Sequence, residues 1–317
     1  MNQIVHRKSE VIDGPKQNPV EVFLSSKTKH SRYSYMLDLK QIADLLRVDD
    51  PFQFPWWELR YEHVQTIRTL LMDVVSGRTK KSLSHSTINR MLCALRGLLK
   101  TCWRMDLMTA EDYYRAVDID KVIGETIPVG RELSLNEIGA LMDICEMDGS
   151  PAGFRDSAMI SLMYSTGLRR AEVSSIMMGD YNPEDGSMLV NGKRNKQRVV
   201  YLTHGTKDAM DYWLTIRGNK PGAVFLAIGK TGKVRFKDPI SPQSVYTILR
   251  RRGKEAGLTS FSPHDMRRSF ATSLLENGAD IAIVSSLMGH SSISTTIKYD
   301  KRGEAARRKV AGMIRVP

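Results

Sequence analysis

The sequence predicts a mainly α-helical protein of two domains, with a small antiparallel β-sheet in the second domain. At 317 residues the chain is long enough for about two domains of ordinary size. Apolar residues recur at three- and four-residue spacings through most of the chain, which is the period of a helix buried on one side. Residues 187–202 differ, because two short β-rich runs flank Asn191-Gly192, a pair typical of hairpin turns.

The first domain is expected to be helical over residues 19–121, after a polar, flexible arm at residues 1–18. Its helices are predicted from the apolar spacing and from residues that cap helix N-termini. They run from Ser31 to Leu46, from Leu59 to Val75, onward from a cap at Ser86, and onward from Thr109. Residues 122–131 are rich in glycine and proline and are interpreted as the domain linker.

The second domain is predicted over residues 132–302. Ser134 and Glu137 form a capping-box pattern at the start of its first helix. Further helices are expected at residues 155–165 and, after the hairpin, near residues 206–216, 241–256, 263–276, 280–288 and 292–299. Residues 303–317 form a C-terminal tail. It contains a candidate helix for docking between protomers, because Val310, Met313 and Ile314 share one helical face.

The charge of the chain favours a polyanionic partner. Lysine and arginine number 47 against 35 aspartate and glutamate residues, which gives a net charge of +12. Residues 1–130 hold 19 basic against 16 acidic side chains, whereas residues 131–317 hold 28 against 19. An excess of this kind is typical of proteins that bind nucleic acid.

The composition also argues against several other classes of protein. Cys93, Cys102 and Cys145 show no metal-binding or disulfide spacing and are interpreted as buried thiols. No apolar run approaches the roughly 18 residues of a membrane span, and the N-terminal residues lack the apolar core of a signal peptide. A cytoplasmic protein with no membrane partner is therefore expected. No metal or other cofactor is expected, since the seven histidines show no ligand spacing.

Six residues in the second half of the chain together suit the breaking and rejoining of a phosphodiester bond. Arginines bind phosphate oxygens, histidine and lysine transfer protons, and a tyrosine hydroxyl is a nucleophile. The six residues, with the motifs that hold them, are Arg169 in TGLRRAE, Lys193 in NGKR, His264 and Arg267 in SPHDMRR, His290 in LMGHSS, and finally Tyr299.

Local patterns place most of these residues at the ends of helices. Arg169 follows a glycine turn, and Glu172 lies three residues further on, where it can brace the arginine across one helical turn. His264 and Arg267 are predicted to share one face of a helix that begins after Ser262. Lysine 193 is predicted at the tip of the hairpin, where Lys196 and Arg198 are nearby alternatives for the same role.

The order and wording of these motifs closely resemble the tyrosine recombinase (phage integrase) family, including the Xer-type recombinases. The resemblance covers residues 130–302, with a weaker match over about residues 20–120. It implies a helical core-binding domain followed by a catalytic domain. It also favours Lys193 over its neighbours as the proton donor, because Lys193 occupies the Gly-Lys position of the family.

The resemblance further implies a mechanism without metal or ATP. Tyr299 would attack the scissile phosphate, which leaves a 3′-phosphotyrosyl bond and a free 5′ hydroxyl. Arg169 and Arg267 would neutralise the developing charge while His264 and His290 donate hydrogen bonds to it. Lys193 would protonate the leaving 5′ oxygen. The resemblance also implies a Holliday-junction intermediate.

The partners implied are double-stranded DNA with inverted half-sites and a homotetramer, or a heterotetramer with a related recombinase, on two synapsed sites. In the first domain, helix-start residues resemble those with which the family grips DNA: Lys29, Arg32, Thr87 and Arg90. Integration or excision and the resolution of dimers or cointegrates stay open as biological roles. A type IB topoisomerase and a non-catalytic DNA-binding regulator are the alternatives, and the intact set of six residues argues against the second.

Overall fold

The computed structural model of the chain describes residues 17–75, 81–124, 130–192, 196–300 and Gly303. These residues form two compact units that divide between positions 128 and 129. Their secondary structure is mainly helical, with two small antiparallel sheets in the second unit. The predicted fold class is therefore confirmed. Nearly all of the predicted N-terminal arm and of the predicted docking tail lies outside the described residues.

The first unit is built from helices whose apolar sides meet in one core. They are α1 (Pro19–Ser25), α2 (Lys29–Leu45), α3 (Tyr61–Asp73), α4 (His85–Arg104) and α5 (Ala110–Val117), with a 3₁₀ turn at Trp56–Glu58. Helix α4 supplies the largest buried stripe, because apolar residues recur along it every three or four positions from Ile88 to Cys102. The Trp56 indole is fully buried and donates to the Pro51 carbonyl oxygen at 2.7 Å.

The sequence predicts a capping residue at the start of two helices in this unit, and the structure tests both predictions. Thr109 caps α5 by accepting a hydrogen bond from the Asp112 backbone N–H, as the sequence predicts. The prediction of Ser86 as the cap of α4 is wrong. Ser84 fills that position, and its hydroxyl accepts from the Thr87 backbone N–H at 3.3 Å. Serines stand at both positions, so the local pattern does not distinguish them.

The two end residues of the predicted linker are each hydrogen-bonded to one of the two units. The Val122 backbone donates to Asn89 Oδ1 and accepts from Asn89 Nδ2, both at 2.9 Å, so Val122 is fixed to α4. The Arg131 backbone N–H donates to Asp265 Oδ1 at 3.0 Å within the second unit. Of the residues between them, 125–129 lie outside the described part of the chain.

The second unit surrounds a central helix. Its elements are α6 (Leu135–Asp148), α7 (Pro151–Thr166), α8 (Arg170–Ser175), β1 (Ser187–Asn191), β2 (Gln197–Tyr201), α9 (His204–Arg217), β3 (Leu226–Ile228), β4 (Val234–Pro239), α10 (Pro242–Glu255), α11 (Pro263–Glu276), α12 (Ile281–Leu287) and α13 (Ile293–Ile297). Helix α7 packs against α6, α9 and α11. The predicted capping box at Ser134 and Glu137 is present at the start of α6.

The two sheets of this unit are antiparallel hairpins. Strand β1 pairs with β2 from Ser187 opposite Tyr201 to Asn191 opposite Gln197, which confirms the predicted hairpin. The pairing of β3 with β4, which contains an irregularity between Leu226 and Ala227, was not predicted. None of the helices in the described ranges has the length and apolar character needed to cross a membrane.

Cysteine burial agrees with the sequence at two of three positions. Cys102 and Cys145 are buried, and burial raises the pKa of each thiol to about 12. Cys93 is exposed, so its prediction as a buried thiol is wrong. It lies on the side of α4 that the apolar stripe leaves open, which the spacing Met91-Leu92-Cys93-Ala94 alone does not reveal.

A buried ionic network fastens α10 to α7. The Asp156 carboxylate is completely buried and accepts hydrogen bonds from Arg155, Arg251 and Arg252 at 2.6–3.0 Å. Buried charges are stable only when each is paired, because the protein interior does not solvate them as water does. The network therefore depends on the carboxylate at position 156.

We expect Asp156→Asn to lower the free energy of unfolding by about 3–5 kcal/mol, because it removes the charge that three arginines share. Urea denaturation followed by circular dichroism measures the loss. Asp143→Asn is the control, since Asp143 is exposed on α6, and it should change stability by no more than about 0.5 kcal/mol. Equal urea midpoints for the two variants would contradict a stabilising role for the network.

Candidate active site

Arg169 occupies a position that a glycine turn creates. Helix α7 ends at Thr166, and Gly167 continues the chain with φ of 62°. A Cβ at Gly167 would lie 2.4 Å from Phe270 Cδ1, so both the backbone angle and the close packing require glycine. Arg169 then precedes α8 as its N-cap residue.

Glu172 holds Arg169 as the sequence predicts. Its carboxylate accepts from the Arg169 backbone N–H at 2.9 Å and from Arg169 Nη1 at 2.8 Å. Burial by itself raises the pKa of Glu172, but hydrogen bonds from Arg198 and from the Arg169 backbone outweigh it and hold the pKa below its ordinary value. A charged carboxylate therefore orients the Arg169 side chain.

Arg267 and His264 lie in the first turns of α11. Ser262 and Asp265 fix the start of this helix through two hydrogen bonds of 2.8 Å from the Ser262 N–H and hydroxyl to Asp265 Oδ2. The Arg267 side chain is 3% exposed and donates to the carbonyl oxygens of Gly167 and Met288. Burial lowers its pKa to about 10, so it remains charged at neutral pH.

His290 and Tyr299 follow on the chain. Gly289, with φ of 60°, ends the turn after α12. His290 Nδ1 then lies 2.8 Å from the hydroxyl of Thr296 on α13. The Tyr299 ring is 6% exposed, and its hydroxyl lies 3.3 Å from His264 Nε2. The His290 ring centroid lies 6.2 Å from that of Tyr299, so the tyrosine contacts both histidines.

Five of the six predicted residues are thus brought together. A cavity of about 300 Å³ is lined by Arg169, Arg170, Tyr246, Ser262, Pro263, His264 and Arg267. Arginine and histidine donors facing one small cavity are suited to an anionic group such as a phosphate. Tyr246 was not singled out from the sequence as a site residue, because it lies inside α10 without a motif around it.

The sixth residue, Lys193, lies outside the described residues, which stop at Gly192 and resume at Lys196. The base of its hairpin is described, with the Gly192 N–H donating to the Lys196 carbonyl at 2.8 Å. A Cβ at Gly192 would lie 3.7 Å from Glu172 Oε1. Gly192, the residue before Lys193 in the sequence, therefore lies beside the carboxylate that holds Arg169.

Arg198, which the sequence offers as an alternative to Lys193, bonds other groups of the protein with its side chain. Arg198 Nη1 and Nη2 donate to the two oxygens of Glu172 at 3.1 and 2.8 Å, and Arg198 Nε donates to the Leu287 carbonyl at 2.7 Å. Local sequence patterns do not predict these contacts, because the partners are 26 and 89 positions apart along the chain.

The charge state of the two histidines follows from the same arginines. Burial, and then the Arg267 and Arg169 guanidinium groups, lower the pKa of His290 to about 4. Partial burial and Arg267 also lower the pKa of His264. Both imidazoles are therefore neutral near pH 7, where each can donate one hydrogen bond and accept another.

The lowered pKa of His290 predicts a loss of stability in acid. In the unfolded chain, His290 has its ordinary pKa of 6.5, whereas in the folded chain its pKa is about 4. Between these two pH values the unfolded chain binds a proton that the folded chain does not bind, so a fall in pH favours unfolding. We expect His290→Asn to lose less stability than the unsubstituted chain between pH 7 and pH 4.5, by urea denaturation. His204→Asn, at an exposed histidine, should follow the unsubstituted chain. Parallel curves for all three proteins would contradict the prediction.

The residues predicted to bind DNA in the first unit have mixed surroundings. Lys29 is exposed at the start of α2. Arg32 Nε donates to the Leu24 carbonyl at 3.1 Å, and Arg90 pairs with Asp38 at 2.9 Å. The Thr87 hydroxyl bonds that of Ser84 at 2.9 Å. Arg32 and Arg90 are exposed as well as paired, and DNA binding by the four residues stays a prediction.

The chain is similar to proteins of a known family. Residues 131–305 match the phage integrase family, which is more than half of the chain. The chain therefore belongs to the phage integrase family. Within that family it is a Xer-like tyrosine recombinase, an enzyme of site-specific DNA recombination.

The similar proteins are known recombinases. The tyrosine recombinase XerD of Xanthomonas axonopodis pv. citri is 33% identical over 73% of this chain and 77% of its own length. XerC of Lactobacillus delbrueckii subsp. bulgaricus is 29% identical over 88% of this chain and 92% of its own length. The fold matches that of the Tn1549 transposon integrase, solved in complex with transposon right end DNA, with a TM-score of 0.69. That match has 16% identity and covers 94% of this chain and 99% of the other.

Proposed function

We propose that the chain cleaves and rejoins double-stranded DNA at specific sites through a tyrosine–phosphate intermediate. The observation that carries the proposal is the position of the Tyr299 hydroxyl, 3.3 Å from Nε2 of His264, and the His264 side chain lines the arginine-rich cavity. The solved structures that share the fold include a lambda integrase dimer bound to a core site, with a TM-score of 0.63. The core site bound in that complex and the net charge of +12 of this chain support DNA as the partner of this chain.

In the proposed cleavage step, one bond to phosphorus forms while another breaks. The Tyr299 oxygen forms a bond to the scissile phosphorus, and the bond from phosphorus to the 5′ oxygen breaks. The neutral His264 ring accepts the phenolic proton, and Lys193 supplies a proton to the leaving 5′ oxygen. Arg169 and Arg267 neutralise the charge on the phosphate oxygens, with His290 as a further hydrogen-bond donor. The reverse reaction rejoins a strand.

The assembly belongs to the same proposal. Inverted half-sites would bring two protomers to each DNA site, and two synapsed sites would bring four, either of this chain or of this chain and a relative. Exchange of one strand pair and then the other would pass through a Holliday junction. The docking of the tail at residues 303–317 between protomers remains a prediction of the sequence.

The test is covalent trapping of DNA. The protein is incubated with sheared genomic DNA in excess EDTA, and adducts that survive denaturing electrophoresis are recovered and sequenced. Because arginine side chains supply the positive charge at the phosphate, we expect adducts to form with EDTA present, each with a free 5′ hydroxyl on the other strand end. Retained DNA binding without any adduct would overturn the proposed function, and adducts that vanish only on chelation would overturn its metal-free step.

A further inference from the structure

Three consecutive backbone carbonyl oxygens in the turn before His290 each accept a hydrogen bond from a different arginine. Arg198 Nε donates to Leu287 at 2.7 Å, Arg267 donates to Met288, and Arg169 Nη2 donates to Gly289 at 3.2 Å. The turn lies at the C-terminal end of α12, where backbone carbonyls lack partners within the helix and carry partial negative charge. The three arginines therefore define the path of the chain into His290.

Arg198 differs from the other two arginines, because all three of its nitrogens donate to groups of the protein, whereas Arg169 and Arg267 line the cavity. Nε bonds Leu287, while Nη1 and Nη2 bond the two oxygens of Glu172. Its side chain is only 11% exposed. A guanidinium that is largely buried and bonded to a carboxylate and a carbonyl acts on neighbouring groups of the protein.

The groups that Arg198 touches are those that hold the predicted catalytic residues. Glu172 binds the Arg169 side chain and backbone, so the position of its carboxylate sets that of Arg169. The Leu287 carbonyl lies three residues before His290. A Cβ at Gly289 would lie 3.0 Å from Arg198 Nη1, which shows how closely the guanidinium supports the turn. Arg198 itself belongs to strand β2.

We propose that Arg198 is a positioning residue of the DNA cleavage site, which connects strand β2, the Glu172–Arg169 pair and the turn that presents His290. The proposal rests on the proposed function. Its physical basis is that a displacement of about 1 Å in a group that contacts the reacting atoms can lower the rate about 10²-fold. Loss of Arg198 should therefore reduce the cleavage rate and leave DNA affinity unchanged.

The experiment compares Arg198→Lys and Arg198→Gln with the unsubstituted chain on a nicked suicide substrate made from a trapped DNA site. Lysine keeps the charge, but its single ammonium cannot occupy the three separate positions from which the guanidinium nitrogens bond Glu172 and the Leu287 carbonyl. We expect single-turnover cleavage at saturating protein to fall about 10- to 100-fold for lysine and further for glutamine. The dissociation constant for one half-site, measured by gel shift, should change by less than about twofold.

Arg155→Lys is the matched control for loss of a buried arginine. Arg155 also donates two bonds to one carboxylate, that of Asp156, and one bond to a backbone carbonyl, that of Leu226, within the same unit. We expect Arg155→Lys to lower the melting temperature, as Arg198→Lys does. At a temperature where both variants are folded, Arg155→Lys should still cleave DNA at the rate of the unsubstituted chain. General destabilisation is thereby separated from the positioning of site residues.

A second pair of variants tests the turn directly and does not require an Arg198 variant to fold. Gly289→Ala places a methyl group against Arg198, whereas Gly149→Ala meets nothing within 4 Å, and the two glycines share φ values of 60° and 58°. The backbone strain is therefore matched. We expect slower cleavage from Gly289→Ala alone.

Four outcomes would overturn the role of Arg198. They are an unchanged cleavage rate in folded Arg198→Lys, an equal loss of half-site affinity and rate, an equal loss of rate in Arg155→Lys, and equal rates for the two glycine variants. If the unsubstituted chain forms no covalent adduct, the proposed function fails instead, so the two failures are distinguishable.

Discussion

Tyr299→Phe is expected to abolish covalent attachment to DNA while it leaves the protein folded and able to bind its site. The substitution removes one oxygen atom, which is the only nucleophile that the proposed step uses. The ring, packed beside His290 at 6.2 Å between centroids, is retained. Only the hydrogen bond to His264 is lost, which should cost about 1 kcal/mol of stability.

Denaturing electrophoresis with a nicked suicide substrate measures the adduct, and a gel shift on one half-site measures binding. Tyr201→Phe is the control, since Tyr201 is 60% exposed on β2 and should cleave normally. A phosphotyrosyl adduct in Tyr299→Phe would show that another residue is the nucleophile. Loss of binding together with cleavage would instead indicate a structural role for the hydroxyl.

Local sequence signals identified most helix boundaries because caps and breakers act within a few residues. Ser134 with Glu137, Thr109 and Gly289 each mark an end that the structure contains. Shorter elements lack enough residues to show a period. Helix α8 has six residues and β3 has three, and neither was predicted from the sequence.

The candidate site also has one part that local signals predict and another part that they do not. Arg169, His264 and His290 stand beside glycine or proline signals that place them at helix ends, and the motif order links them. Their partners were not predictable from local patterns. Arg267 bonds Gly167 across 100 positions, and Arg198 bonds Leu287 across 89. Contacts of this separation depend on the packing of α7, α11 and α12, which no short pattern encodes.

Arg267→Lys is the second variant for which we expect a large effect. Arg267 is the most buried arginine of the site and joins the carbonyls of Gly167 and Met288, so it connects the end of α7 to the end of α12. The single ammonium of lysine cannot replace the planar fork whose two Nη atoms bond the two carbonyls, so it cannot keep both bonds and also hold a phosphate oxygen in place. Loss of one charged donor at a developing anion lowers rates about 10²- to 10³-fold, and one unsatisfied buried carbonyl costs about 1–3 kcal/mol.

The control must separate the loss of cleavage rate from the loss of stability. Arg217 is 1% exposed and donates to the carbonyl oxygens of Gly218, Lys220 and Ala223, so Arg217→Lys removes similar carbonyl bonds without touching the cavity. Both variants should show lower urea midpoints, but only Arg267→Lys should lose single-turnover cleavage under conditions where both are folded. If Arg217→Lys lost cleavage to the same extent, stability alone would explain the effect. If Arg267→Lys cleaved at the unsubstituted rate, the phosphate charge would have to be neutralised by other residues, and the role proposed for Arg267 would be wrong.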